Sequence, residues 1–152
     1  MSTIILNDQT YLNKGYNIST DQSLLQFDTI YDYLNTQSYW AKGISTEKLK
    51  IAIQSSVCFG VYHQNKQVGF ARVISDNSTF AYLADVFIIE SHRKQGLSKW
   101  LMQTILAYPN FKELRRWLLA TADAQGLYAK FGFKTINQPE RFMQIFTPYS
   151  TN

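Results

Sequence analysis

Residues Phe80 to Tyr108 read FAYLADVFIIESHRKQGLSKWLMQTILAY, and this order decides the fold. Phe80 to Ile89 is a long apolar run suited to a buried strand, followed by a short polar turn and a helix starting near Gly96. His92, Arg93, Lys94, Gln95, Gly96, Leu97, Ser98 and Lys99 stand at that junction. The first turn of a helix leaves backbone N–H groups without acceptors, and the positive end of the helix dipole lies there too. Cations and a glycine at such a point make an anion site, with phosphate or pyrophosphate as the expected guest.

The rest of the chain is read outward from this unit. Tyr16 to Ile18 suits a first strand, after a short apolar start at Thr3 to Leu6. A helix is expected from about Asp21 to Asn35, because Leu24, Phe27, Tyr31 and Leu34 recur at helical spacing behind Ser19, Thr20 and Asp21. A second helix is expected over Thr46 to Gln54. From Ser56 the period becomes two, with Val57, Phe59 and Val61 on one strand face, then Val68, Phe70, Arg72 and Ile74 on the next. With Phe80 to Ile89 these make an antiparallel meander. Pro109 ends the organising helix, and Arg116 to Thr121 reads as a buried strand parallel to Phe80–Ile89. Ala124 to Phe131 reads as a short helix closed at Gly132. Phe133 to Ile136 and Phe142 to Phe146 read as closing strands.

Composition bounds the function. The chain has 152 residues, with 15 basic and 11 acidic side chains giving a net charge of +4. One domain spanning 1–152 is expected, with no linker or repeat. The cations form no long run, so a small anionic ligand is expected rather than nucleic acid. The single Cys58 and two histidines argue against a disulfide or a zinc site, so no metal is expected. With no apolar run long enough to span a bilayer and no leader pattern in MSTIILNDQT, a cytoplasmic location without membrane contact is expected.

Arg93-Lys94-Gln95-Gly96-Leu97-Ser98 is similar to the phosphate motif of the GCN5-related N-acetyltransferase (GNAT) superfamily: Arg or Gln, two residues, Gly, one residue, then Gly or Ala. Gly126-Leu127-Tyr128-Ala129-Lys130-Phe131-Gly132-Phe133 resembles a second signature of that family, its "LYxxxGF" helix. The element order agrees from about Ile18 to Phe146. Ser98 replaces the usual Gly or Ala but is small, which implies a slightly tighter approach to phosphate. Tyr39-Trp40-Ala41-Lys42-Gly43-Ile44 and Cys58-Phe59-Gly60-Val61-Tyr62 resemble segments of a bacterial subgroup of small, stand-alone members, a subgroup that fixes no acceptor.

The resemblance implies an α/β (α+β) fold. Its sheet would be mixed and mostly antiparallel, with about six to seven strands, a splayed central parallel pair and about four helices. It implies acetyl-coenzyme A as cosubstrate and a primary amine of a small molecule as acceptor. Cofactor contacts carry over to the backbones of Val86, Phe87 and Ile88, to Arg93, Lys94, Gln95, Gly96, Leu97, Ser98 and Lys99, and to Asp123. Asp123 is also read as the cap of its helix. Tyr128 matches the general acid, and its alternative is a core tyrosine with a surface hydroxyl. Asp85 is the candidate base, and its alternative is a salt bridge to Arg72. Tyr39, Trp40 and Arg72 are the substrate-binding candidates, the two aromatics either walling the amine or packing on the sheet. Lys130 and His92 read mainly as solvated surface residues, the alternatives being a reach to the ribose 3'-phosphate for Lys130 and added charge at the phosphate site at low pH for His92. Cys58 reads as a small buried apolar group. Transfer of another acyl group or to another acceptor, a non-catalytic coenzyme A-binding module, and a homodimer stay open.

Overall fold

The computed structural model describes residues 8–150, so the start expected at Thr3 to Leu6 lies outside the described residues. One sheet holds five strands in the order β1 (Tyr16–Ser19), β2 (Val57–His63), β3 (Lys66–Ser75), β4 (Phe80–Ile88) and β5 (Arg116–Leu118). Neighbours from β1 to β4 are antiparallel, as the meander requires, and β4–β5 is parallel. Helix α1 is Asp8–Asn13, α2 is Phe27–Asp32, α3 is Thr46–Gln54, α4 is Leu97–Leu106 and α5 is Gln125–Ala129.

The helices form two layers on opposite faces of the sheet. Leu97, Trp100, Leu101, Met102 and Ile105 of α4 bury against Phe59, Val61, Val73, Ala81 and Leu83. On the other face Ile30, Leu34, Leu49 and Ile53 pack on Cys58, Phe70 and Phe87. Two bulges modify the alternation. Val61 and Tyr62 of β2 oppose Gly69 and Gln67, so Val68 is an extra residue in β3. Val68 therefore joins Ala71 and Val73 against α4, whereas Phe70 faces α2 and α3; the single face expected for Val68, Phe70, Arg72 and Ile74 does not exist. In β4 the register passes from Phe87↔Phe70 to Ala84↔Arg72, leaving Asp85 and Val86 opposite Ala71 alone.

The helix expected over Asp21 to Asn35 is broken. Asp21 caps a single 3-10 turn, Gln22–Leu24; α2 begins only at Phe27, and a π turn follows over Tyr33–Gln37. The break is tertiary. Gln26 and the fully buried Gln67 each accept a backbone N–H from the other through their side-chain oxygens. These bonds hold Gln26 extended.

The strand expected over Arg116 to Thr121 shortens to three residues. Among the described residues the closing strands do not form: 142–150 is exposed and joins no strand ladder, with Met143 at 96% and Phe146 at 72% exposure. Strand-prone side chains stabilise a strand only when a neighbour supplies the ladder. Among the described residues the sheet therefore has five strands rather than six or seven, and the parallel pair lies at its edge rather than its centre. Among the described residues no helix is long and apolar enough to cross a membrane.

Candidate active site

The β4–β5 register ends at Tyr82↔Leu118, beyond which the two strands part. From there β4 is paired on one side only, and Val86, in the bulge, falls outside both registers. The splay leaves main-chain groups facing a slot rather than a strand. Asp85 takes φ +57 inside the bulge. Simple alternation from Ala81 and Leu83 would aim Asp85 at α4, but the extra residue turns it to the opposite face.

At the end of β4 the chain makes one 3-10 turn, Glu90–His92, and enters α4 through Lys94 at φ +65 and Gly96 at φ +83. No side chain caps α4, and its first turn carries no acid. The opening amides thus have neither an intrahelical acceptor nor a carboxylate in front of them. They line a cavity of about 250 Å³, bounded by Ile88, by Arg93, Lys94 and Gly96 to Lys99, and by Leu127 across from α5. These donors fit a phosphate or diphosphate.

Two residues of the loop turn elsewhere. The Arg93 guanidinium donates to the Ile88 carbonyl at 2.8 Å and to the Tyr33 hydroxyl at 2.8 Å. Tyr33 in turn stacks on Phe87, centroids 4.0 Å apart. Arg93 therefore ties the loop to β4 and α2 and occupies one lone pair of the Ile88 carbonyl. Gln95 faces rearward, its carbonyl accepting from Tyr11 at 3.1 Å and its amide donating to the His92 carbonyl at 3.3 Å. His92, expected on the surface, is partly buried with Nδ1 2.7 Å from the Tyr16 hydroxyl.

A second cluster is built around Asp85. Asp85 is buried, with Oδ2 2.8 Å from Arg72 Nε and Oδ1 accepting Trp40 Nε1–H at 2.9 Å. Arg72 also donates to Ser56 Oγ at 3.1 Å. The ion pair considered from the sequence is present, and Trp40 is an additional partner. The Tyr39 hydroxyl accepts the Ala122 N–H at 2.9 Å, and Tyr39 meets Trp40 edge to face. The loop between the π turn and α3 thus reaches β4 through Trp40 and the segment after β5 through Tyr39, bridging the splay. Both aromatics remain exposed.

Tyr128 is the buried member of α5, 8% exposed and edge-on to Phe133, while Leu127, partly buried against the same core, also lines the cavity. Burial first, then Tyr39 and Asp123, pushes the Tyr128 phenol up to about 12. Asp123 does not cap α5; Thr121 Oγ1 accepts the Ala124 and Asp123 N–H groups instead. Gly132, at φ +96, closes that helix as expected. The Cys58 thiol is buried and pushed up to about 12 by burial, which rules it out as a thiolate nucleophile near neutrality. Among the described residues no group of three or more His, Cys, Asp or Glu could hold a metal ion.

Tyr11, Tyr16 and Tyr33 were not singled out as site residues by the sequence. Each supports the loop from far along the chain, and no local spacing announces such a contact.

Residues 27–133 match the Acetyltransferase (GNAT) family. A candidate acetyltransferase, FG08082, of Gibberella zeae is 33% identical over 146 residues, covering 83% of this chain and 82% of its own length. The crystal structure of a candidate GNAT acetyltransferase from Xanthomonas campestris pv. campestris superposes with a TM-score of 0.87 at 45% identity, covering 90% of this chain and 96% of its own. A GNAT-family acetyltransferase from Elizabethkingia anophelis, solved with acetyl-CoA bound, shares the fold with a TM-score of 0.59 at 16% identity, over 81% of this chain and 78% of its own. With the phosphate-type helix start, the splayed parallel pair and these matches in agreement, the chain belongs to the GNAT acetyltransferase family.

Proposed function

We propose that the chain transfers an acetyl group from acetyl-coenzyme A to a primary amine of a small molecule, with Tyr128 as general acid. The observation that carries this reading is the uncapped start of α4, which opens onto a cavity at the foot of the splayed strands. The fit is chemical: unpaired amides, Lys94 and Lys99 suit a diphosphate, and the parted edge of β4 suits an amide-bearing arm. The coenzyme supplies the acyl group as a thioester.

In this reading Leu97, Ser98 and Lys99 N–H groups hold the diphosphate, with Lys94 and Arg93 adding positive charge. The backbones of Val86, Phe87 and Ile88 hold the arm, Asp123 lies near it, and Val86, free of both registers, is the donor for the thioester carbonyl. Tyr128 keeps its proton throughout the working pH range. A coenzyme thiol near the cysteine value of roughly 8.5 is a stronger acid than this phenol, so transfer to the departing sulfur is uphill on its own and is completed as the proton released by the amine returns to the phenol. Tyr39, Trp40 and Arg72 shape the acceptor pocket. Asp85 receives the amine's proton, directly or through water, from its place between Arg72 and Trp40. The bridge across the splay favours a compact acceptor over a polymer, and the reading places one acyltransferase domain in the cytoplasm.

The test is acceptor-dependent thiol release over a panel of amines, with Tyr128→Phe beside the parent. Turnover in the variant should fall about 100-fold, the ordinary worth of a positioned acid, at nearly unchanged affinity for acetyl-coenzyme A. Equal turnover removes Tyr128 from the mechanism. Tight binding with no amine-dependent release across the panel overturns the transferase reading in favour of a binding module.

A further inference from the structure

Behind the phosphate-type loop, on the side away from the cavity, lies a polar cluster that the acyl-transfer reading leaves unused. Tyr16 of β1 is buried, with its hydroxyl 2.7 Å from His92 Nδ1 and 3.4 Å from Gln95 Oε1. Tyr11 of α1 draws the Gln95 carbonyl rearward. In a trans peptide the N–H points opposite to the carbonyl, so this bond turns the Gly96 N–H forward. Both histidines of the chain meet here, rings 5.3 Å apart, and His63 lies 4.5 Å from Tyr16. His63 Nε2 stands 3.1 Å from the Lys14 carbonyl, a contact that requires Nε2 to carry the proton.

We propose that Tyr16 and His92 are positioning residues of this loop, and that proton uptake by His92 and diphosphate binding in front of the loop favour one another. The proposal rests on the coenzyme A reading. Tyr16 has a single hydroxyl proton. While His92 is neutral with its proton on Nε2, Nδ1 accepts that proton and Gln95 Oε1 receives nothing. When His92 takes a proton from solvent, Nδ1–H donates to the Tyr16 oxygen, and the phenol's own proton turns to Gln95 Oε1. The loop gains a rear hydrogen bond and a positive charge behind its anion, two effects of the same sign.

The groups facing His92 are Tyr16 from β1, His63 from β2, Lys66 from the start of β3 and Gln95 from the loop, with Glu90 on its own turn; of these, His63 and Lys66 oppose that proton in the free protein. Burial first, then His63 and Lys66, holds His92 below the ordinary histidine value. An anion in front of the loop relieves this opposition. By reciprocity, whatever raises the proton affinity of His92 on binding must tighten binding as the proton is added.

The probe is dephospho-coenzyme A, whose diphosphate keeps its charge between about pH 5.5 and 8, whereas a phosphomonoester titrates near about 6. For the parent protein the Kd should fall about threefold from about pH 8 to about pH 5.5, the scale of one charge acting across a partly solvated loop. His92→Gln should flatten this dependence, and Tyr16→Phe, lacking the arm to Gln95, should reduce it. In the parent, the His92 ring signals should titrate at higher pH with the probe than without it. That measurement needs no variant and so decides the matter even if a substitution impairs folding. Binding with a flat pH profile, or an unmoved His92 midpoint, overturns this proposal alone. Absence of binding at both pH values overturns it together with the coenzyme A reading.

Discussion

Asp85 holds a left-handed backbone conformation in the middle of a strand, at φ +57. A β-carbon in that region costs about 1–2 kcal/mol, so the surrounding bonds must hold it there. Arg72 and Trp40 supply them, one to each carboxylate oxygen. Removing one member of a buried pair strands the other, at about 3–5 kcal/mol. Arg72→Met should therefore destabilise the protein on that scale in urea unfolding. Asp85→Asn keeps the shape but leaves Arg72 unneutralised, and should also lower stability. The two variants separate the possible roles of Asp85. If it accepts the amine's proton, Asp85→Asn loses far more kcat than Arg72→Met, whereas equal losses leave it a structural bridge. For Tyr128 the sign of the pH effect follows from its raised value of about 12. The acid form is loaded below that value, so turnover should show no alkaline loss from this phenol up to about pH 10. An alkaline limb below that pH which vanishes in Tyr128→Phe would contradict the raised value of the phenol, while tying turnover to its proton.

Among the elements, α4 depends on its first glycine for two separate reasons. Gly96 stands at φ +83, and a β-carbon built there would meet the Tyr11 hydroxyl at 2.5 Å. Gly96→Ala should thus weaken coenzyme binding and lower stability by more than the about 1–2 kcal/mol of the backbone conformation alone. In a Tyr11→Phe background the contact is relieved, and the added cost of Gly96→Ala should shrink towards the backbone value. Strict additivity in the double-mutant cycle would deny that the two residues share this space. The start of α4 was legible in the sequence because its signals are local: cations, a glycine and an apolar strand in immediate succession. Helix α3 was legible for the same reason, with Ser45 accepting the Lys48 N–H as its cap. The stretch from Asp21 to Asn35 was misread because the helical spacing of Leu24, Phe27, Tyr31 and Leu34 is real, yet Gln67 on a distant strand captures Gln26. The residue that breaks the helix lies outside the segment being read. Asp85 shows the same limit, since period-two reading places it on the strand but cannot show that a bulge reverses its direction.

At the scale of the whole molecule, β2, β3 and β4 were legible because each turn and each alternating run is contained in its own stretch. The late strands were not, because Phe133 to Ile136 and Phe142 to Phe146 need partners that composition cannot supply. The site inherits this unevenness. One wall stands on α4 and the long strand β4, while the other stands on the short β5, α5 and the loop of Tyr39 and Trp40. Tyr39, reaching Ala122, and Trp40, reaching Asp85, bridge the open end of the splay by hydrogen bonds. A ligand held by α4, β4 and α5 together would join these walls and bind the folded state alone. At a concentration about a hundredfold above Kd, such a ligand stabilises by about 2.7 kcal/mol. For a domain of this size that corresponds to a rise in Tm of about 5–10 °C. Acetyl-coenzyme A should produce it, with amide exchange slowing at the start of α4 and along the parted edge of β4. Slowing at α4 alone would mean that the diphosphate binds without the arm entering the splay, and a Tm rise with no protection at α4 would place the coenzyme elsewhere.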